Sequence, residues 1–146
     1  MIEKATILLV EDNPDDEFLA LRALRKNNIS DTVSVVHDGE EALDFLFCRN
    51  AYANRDPQDM PRLVLLDLNL PKVGGLEVLR RLRADPRTQL LPIVVISSSD
   101  AGEDLVQVHR SGANSFMAKP VDYIQFLEFV WRLGKYWLEL YEASPQ

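Results

Sequence analysis

Leu63-Val64-Leu65-Leu66-Asp67-Leu68-Asn69-Leu70-Pro71 is the stretch that decides the fold. Its opening apolar run is too short for a helix and shows no polar face, so it predicts a strand buried on both sides. Asp67 ends the run, and Pro71 and Gly74-Gly75 supply a turn. Leu76, Val78, Leu79 and Leu82 then recur at helical spacing until Asp85-Pro86 stops them. A doubly buried strand followed by a helix is the repeating unit of a parallel sheet covered by helices.

The same unit recurs on either side. Thr6-Ile7-Leu8-Leu9-Val10 reads as a strand. Asn13 is placed to cap the helix that follows, with Pro14 at its first position and Phe18, Leu19, Leu21 and Leu24 carrying it toward Asn28. Val33-Ser34-Val35-Val36 is β-branched and reads as the second strand. After the Asp38-Gly39 turn, Ala42, Leu43, Phe45, Leu46 and Phe47 predict a helix. Residues 49–61 hold Asn50, Asn54, Asp56, Pro57 and Pro61, a loop longer than α-to-β connections usually are. Ile93-Val94-Val95-Ile96 is the fourth strand, followed by Ser97-Ser98-Ser99-Asp100 and a helix through Leu105, Val106 and Val108 that stops at Gly112. Ser115-Phe116-Met117-Ala118 is a weaker fifth strand, ending at Lys119-Pro120, and a last helix begins near Asp122. Five strands alternating with five helices predict an α/β fold with helices on both faces of a parallel sheet.

Composition narrows the function. The chain has 146 residues, enough for one domain, and 16 basic against 23 acidic side chains give a net charge of -7. Such a chain is a poor stand-alone nucleic-acid binder, because phosphate contacts need clustered Lys and Arg. No stretch approaches the ~20 apolar residues of a membrane span. Met1-Ile2-Glu3-Lys4 does not open a secretory signal, so a cytoplasmic protein is expected. One cysteine, Cys48, excludes an internal disulfide and a multi-cysteine metal site. Residues 1–50 carry 11 acids and 5 bases, and Glu11, Asp12, Asp15, Asp16 and Glu17 crowd into seven positions. Such a cluster suits either a solvated helix start or a cation.

In open parallel sheets, ligands bind beyond the carboxyl ends of the strands, where strand order reverses. Those ends deliver Glu11 and Asp12, then Asp67, Ser97 and Lys119; the second strand adds the less distinctive His37 and Asp38. Loops are wet, so any one of these polar residues is unremarkable. As a set they are more telling. Carboxylates crowded together repel unless a cation sits among them, and Mg²⁺ accepts carboxylate, carbonyl and water oxygens. A lysine and a hydroxyl at the same rim suit an oxyanion. Together these groups read as phosphoryl transfer.

These residues carry a family resemblance. Ile7-Leu8-Leu9-Val10-Glu11-Asp12-Asn13, Leu65-Leu66-Asp67-Leu68-Asn69-Leu70-Pro71 with Gly74-Gly75, Ile96-Ser97, and Gly112-Ala113 leading to Lys119-Pro120 resemble the receiver domain of two-component response regulators. The resemblance implies a flavodoxin-like doubly wound sheet in the order 2-1-3-4-5. It implies one receiver domain over residues 1–146, with a core of about 5–138, an extended C-terminal helix and no output domain. It makes Asp67 the phosphoacceptor for a sensor histidine kinase, and Glu11, Asp12, Asp67 and the backbone carbonyl of Asn69 the Mg²⁺ ligands. Lys119 would pair with the phosphoryl oxygens, Ser97 would turn toward them, and Phe116 would change rotamer with it. Lys119-Pro120 matches the family's cis peptide. Glu11-Asp12 stands where many receivers have Asp-Asp, and both pairs suit a carboxylate metal site. Asn69 and Ser99 occupy positions that tune loss of the phosphoryl group in the family. The product would be a phosphoacceptor switch with autophosphorylation and autodephosphorylation activity, signalling to a downstream protein.

Two other readings compete. An aspartate-based phosphatase on the same fold resembles the Asp-x-Asp type, but Asp67-Leu68-Asn69 lacks the second carboxylate. A degenerate receiver that only binds partners is opposed by the complete set Glu11, Asp12, Asp67, Ser97 and Lys119. Outside this set, Ser98 and Ser99 read as loop solvation, and His37 and His109 do not read as phosphoacceptors. Cys48 reads as core on an apolar helix face, and Arg80-Arg81-Leu82-Arg83 as a solvated face. The last helix carries Ile124, Phe126, Leu127, Phe129, Val130, Trp131, Leu133, Tyr136, Trp137, Leu138, Leu140 and Tyr141, apolar on more than one face. That excess predicts a homodimer or kinase-docking surface. With the long 49–61 loop, it most resembles the stand-alone regulators paired with cyanobacterial phytochromes.

Overall fold

Each predicted strand forms where the apolar runs lie. The structure is a computed structural model, and it describes residues 7–26, 33–97, 102–118 and 123–133. In chain order the elements are β1 (Ile7–Val10), α1 (Pro14–Lys26), β2 (Val33–Val36), α2 (Gly39–Leu46), a 3-10 turn (Asn50–Tyr52) and β3 (Leu63–Asp67). They continue with α3 (Gly75–Ala84), β4 (Ile93–Ser97), α4 (Gly102–Arg110), β5 (Ser115–Ala118) and α5 (Tyr123–Leu133). The five strands form one parallel sheet in the order β2-β1-β3-β4-β5. Strand order reverses between β1 and β3, and the ends of those two strands face the same edge.

Side-chain alternation divides the core into two layers. Leu8, Val10, Val64, Leu66, Ile93 and Val95 meet Ala42, Leu43 and Leu46 of α2, Val78, Leu79 and Leu82 of α3, and Val108 of α4. Ile7, Leu9, Leu63, Leu65, Val94 and Ile96 meet Ala20, Ala23 and Leu24 of α1, with Leu127 and Phe129 of α5 along the rim. Burial of each such leucine contributes about 1.5–3 kcal/mol, which holds the strand ends in place as a rigid edge.

The 49–61 loop is less irregular than its composition predicts. α2 ends at Leu46 with Phe47 as its C-cap, so Cys48 lies beyond the helix and not on its apolar face. Cys48 is half-buried, takes a left-handed φ of 55°, and accepts a hydrogen bond at 3.4 Å from Arg55 Nη1. The Arg55 guanidinium also stacks 3.9 Å from the Phe45 ring and donates to the Phe45 and Asp59 carbonyls. Tyr52 packs edge-on against Phe45 and donates its hydroxyl to Glu41 Oε2 at 2.6 Å. Cation–π stacking and one short charged hydrogen bond thus fold the loop back onto α2.

That hydrogen bond, with partial burial second, pushes the Tyr52 phenol up to about 12. A group whose pKa is raised on folding stabilises the fold below its unfolded pKa of about 10, and that contribution is lost as pH rises toward 12. Tyr52→Phe is therefore expected to cost ~1 kcal/mol at neutral pH, a charged hydrogen bond discounted for solvent screening. In urea melts the gap between wild type and variant should stay constant to pH 10 and close between pH 10 and 12. A gap that is flat through pH 12 would show that the hydroxyl does not make this bond.

Candidate functional site

The sheet edge at the β1/β3 boundary gathers three carboxylates. Glu11 and Asp12 leave β1 directly, and Asp67 is the last residue of β3. One carboxylate oxygen from each lies within 4.8 Å of the other two. Glu11 is 4% exposed and Asp67 5%, whereas Asp12 is open to solvent. Backbone amides orient the two buried acids: the Asn13 N–H donates to Glu11 Oε2 at 3.2 Å, and the Asn69 N–H to Asp67 Oδ1 at 3.0 Å. Two carboxylates buried side by side are costly without a counter-charge, and an all-oxygen donor set suits a hard divalent cation. The residues therefore fit a divalent-cation site open to solvent through Asp12.

Local chemistry explains how these side chains reach the edge. Asn13 caps α1, its Oδ1 accepting from the Asp15 and Asp16 N–H groups at 2.9 and 3.1 Å, so the chain turns at once after Asp12. Asp15, Asp16 and Glu17 fill the first turn of that helix, where acids complement its dipole. Ser97 closes β4 beside the β3 end and is fully buried. The Leu68 N–H donates to the Ile96 carbonyl at 3.1 Å, tying the start of the β3–α3 loop to that strand. Phe116 sits on β5 opposite Val95, half-buried against the α2–α4 core layer. Lys119, Pro120, Ser98 and Ser99 lie outside the described residues.

Several contributors escape the sequence pattern. Arg83 is not part of a solvated face, although Arg80 and Arg81 are exposed. It is half-buried and donates to the Gly112 carbonyl at 2.9 Å, the Gln89 carbonyl at 3.1 Å and Asn114 Oδ1 at 2.9 Å. Asn114 Oδ1 also accepts from the Ile93 N–H at 2.8 Å, so one guanidinium ties α3 to the starts of β4 and β5. Burial lowers its pKa. The available signal was spacing: Arg83 follows the buried Leu79 by four residues and so shares its face. His37 is likewise not idle. Its ring Nε2 meets Glu17 Oε1 at 2.9 Å, and its backbone N–H donates to Glu41 Oε1 at 2.8 Å, joining α1, the end of β2 and α2 beside the edge.

On the α5 side, Leu127 and Phe129 pack inward while Ile124 and Trp131 are 60% and 54% exposed, so the helix does carry apolar residues on a second face. No helix among the described residues is long and apolar enough to cross a membrane.

Known proteins share this fold. The family model of the response regulator receiver domain matches residues 7–130. Response regulator Rcp1 of Synechocystis sp. is 32% identical over 133 residues, which cover 91% of this chain and 88% of that protein. The crystal structure of the Mn²⁺-bound form of Rcp1 aligns with a TM-score of 0.82 over 92% of this chain and 95% of that one. The phosphorylated cyanobacterial phytochrome response regulator RcpA reaches 0.84 at 34% identity, covering 97% and 98% of the two chains. The bacteriophytochrome response regulator AtBRR is 45% identical with a TM-score of 0.77, covering 93% and 96%. Receivers of this kind take a phosphoryl group from a histidine kinase and act as phosphoacceptor switches that signal through protein contacts, not as turnover enzymes. With the sheet order, the acidic edge and the match over residues 7–130 in agreement, the chain belongs to the response regulator receiver domain family and is closely related to its phytochrome-associated members.

Proposed function

We propose that this receiver accepts its phosphoryl group on Asp67, in a reaction that requires Mg²⁺ held by Glu11, Asp12, Asp67 and the backbone carbonyl of Asn69. The observation that carries this reading is the convergence of the three carboxylates within 4.8 Å at the strand-order reversal. A carboxylate oxygen of Asp67 attacks phosphorus of a phosphohistidine; the P–N bond breaks, and the imidazole leaves with the electron pair and takes up a proton. When bound, Mg²⁺ offsets the charge of the transferring group. Ser97 donates its hydroxyl to a phosphoryl oxygen, and Lys119 adds a positive charge. Attack of water on phosphorus later breaks the new P–O bond and resets the switch.

The added charge draws Ser97 and its loop inward, and Phe116 takes up a second rotamer. Half-burial of Phe116 against the core layer supports this, since a side chain at the margin of the core repacks at lower cost than one fully enclosed. Output passes to a partner protein, not to nucleic acid or membrane. The exposed Ile124 and Trp131 on α5 support a homodimer through that helix face. The relatives named for phytochrome signalling support a phytochrome-type sensor kinase as phosphoryl donor, acting in the cytoplasm.

The test is incubation with radiolabelled acetyl phosphate, reading label and molecular mass together. Label is expected with Mg²⁺ present and is expected to fall to background in EDTA, at least ~100-fold, since the transferring charge is then uncompensated. Equal labelling in EDTA would overturn the cation assignment.

A further inference from the structure

The β3–α3 loop, residues 68–74, carries Asn69 and is held from outside by the N-terminus of α2. Gly39 lies against this loop so closely that a Cβ there would sit 1.8 Å from the Val73 carbonyl oxygen and 2.6 Å from its carbon. The Gly39 N–H points at the Pro71 carbonyl at 3.4 Å. One residue earlier, Asp38 does two things. Its Oδ1 accepts from the Glu41 N–H at 2.7 Å and caps α2, while Oδ2 meets Lys72 Nζ at 3.7 Å. Lys72 presents that ammonium from a left-handed φ of 66°, a conformation costly for a side chain with a Cβ. The strand order places β1 between β2 and β3, so the β2–α2 connection reaches across the end of β1, where Glu11 and Asp12 emerge.

We propose that Asp38, Gly39 and Lys72 form a bracket that positions the β3–α3 loop for cation binding. The bracket rests on the reading that the Asn69 carbonyl is a cation ligand. Asp67 is fixed by β3 and Glu11 by the β1 end, both within the sheet ladder or directly beside it. Asn69 is exposed and lies on the loop itself, tied back by its N–H to Asp67 Oδ1. Of the proposed ligands it therefore depends most on how the loop is held. The close backbone contact at Gly39 sets the position of residues 71–73, and the Asp38–Lys72 pair keeps the loop against α2. All three are positioning residues; none donates to the cation.

Lys72→Ala separates the bracket from ordinary electrostatics. Alanine keeps a Cβ, so the backbone cost at φ 66° is unchanged. Removing a positive charge near a cation site would by itself tighten cation binding. The bracket requires the opposite. In the full-length chain, free Mn²⁺ measured by electron paramagnetic resonance should give a Kd raised roughly five-fold in Lys72→Ala, below the ~10-fold typical of buried outer-shell partners. Lys72→Arg should restore affinity to within about two-fold, because it keeps the ion pair with Asp38. The urea midpoint of Lys72→Ala should stay at the wild-type value, as expected of an exposed side chain. Mn²⁺ binding that is unchanged or tighter in Lys72→Ala overturns the bracket while wild-type binding leaves the cation reading intact. Failure of the wild-type chain to bind Mn²⁺ overturns both.

Discussion

Asp67→Asn is expected to reduce phosphoryl incorporation from acetyl phosphate by ~10³-fold or more, about 4 kcal/mol on the barrier. The amide has no anionic oxygen to attack phosphorus, and it also removes one of the three clustered carboxylates. The fold should survive. The amide oxygen of the variant can still accept from the Asn69 N–H, which bonds to Asp67 Oδ1 at 3.0 Å in the wild type. In cation-free buffer the variant should even melt higher, by about 1 kcal/mol of stability, because two acids remain where three crowded the edge. Opposite signs in the two readouts are diagnostic. Loss of labelling together with lower stability would mean that Asp67 is structural, and retained labelling would move the acceptor elsewhere.

Gly75→Ala tests how the acceptor loop is built. A Cβ at Gly75 would stand 2.4 Å from the Asp67 carbonyl oxygen and 2.7 Å from the Leu68 Cα. Both are backbone atoms of the strand end and its loop, so no flexible side chain can yield. The Gly75 N–H also bonds the Leu68 carbonyl at 3.0 Å, which fixes the start of α3 against that loop. The substitution is expected to cost ~3 kcal/mol, the upper range for overpacking, and to lower the melting temperature by roughly 10 °C. Gly74→Ala is the internal control, since no heavy atom lies within 4 Å of its Cβ position. Calorimetry of the two variants separates steric contact from loss of backbone freedom. Equal destabilisation of both would show that the close approach at Gly75 is not what matters.

Most of the architecture was legible from residue order. Runs such as Leu63–Leu66 and Ile93–Ile96 are apolar on both faces because helices cover both faces of the sheet, the pattern expected of buried parallel strands. The acidic triad was legible for a related reason. Each member ends an apolar run or follows it within two residues, and parallel strands bring such positions to one edge. Cys48, Arg83 and the 49–61 loop were not legible. Their roles depend on partners distant in the chain, such as Asn114 for Arg83, or on a left-handed backbone turn that no periodicity announces. His37 and Asp38 looked undistinguished for the same reason, since their partners come from α1, α2 and the β3–α3 loop.

Sequence alone determined the alternation of strands and helices, the presence of an acidic edge and the residues that compose it. These follow from local hydrophobic patterning and from where polar residues interrupt it. Tertiary structure decided the 4.8 Å convergence of those acids, the burial of Glu11 and Asp67 beside an exposed Asp12, and the clasp of α2 on the acceptor loop. Such features depend on distances between segments 32 to 56 residues apart, which are set by helix packing across the sheet and carry no local signature.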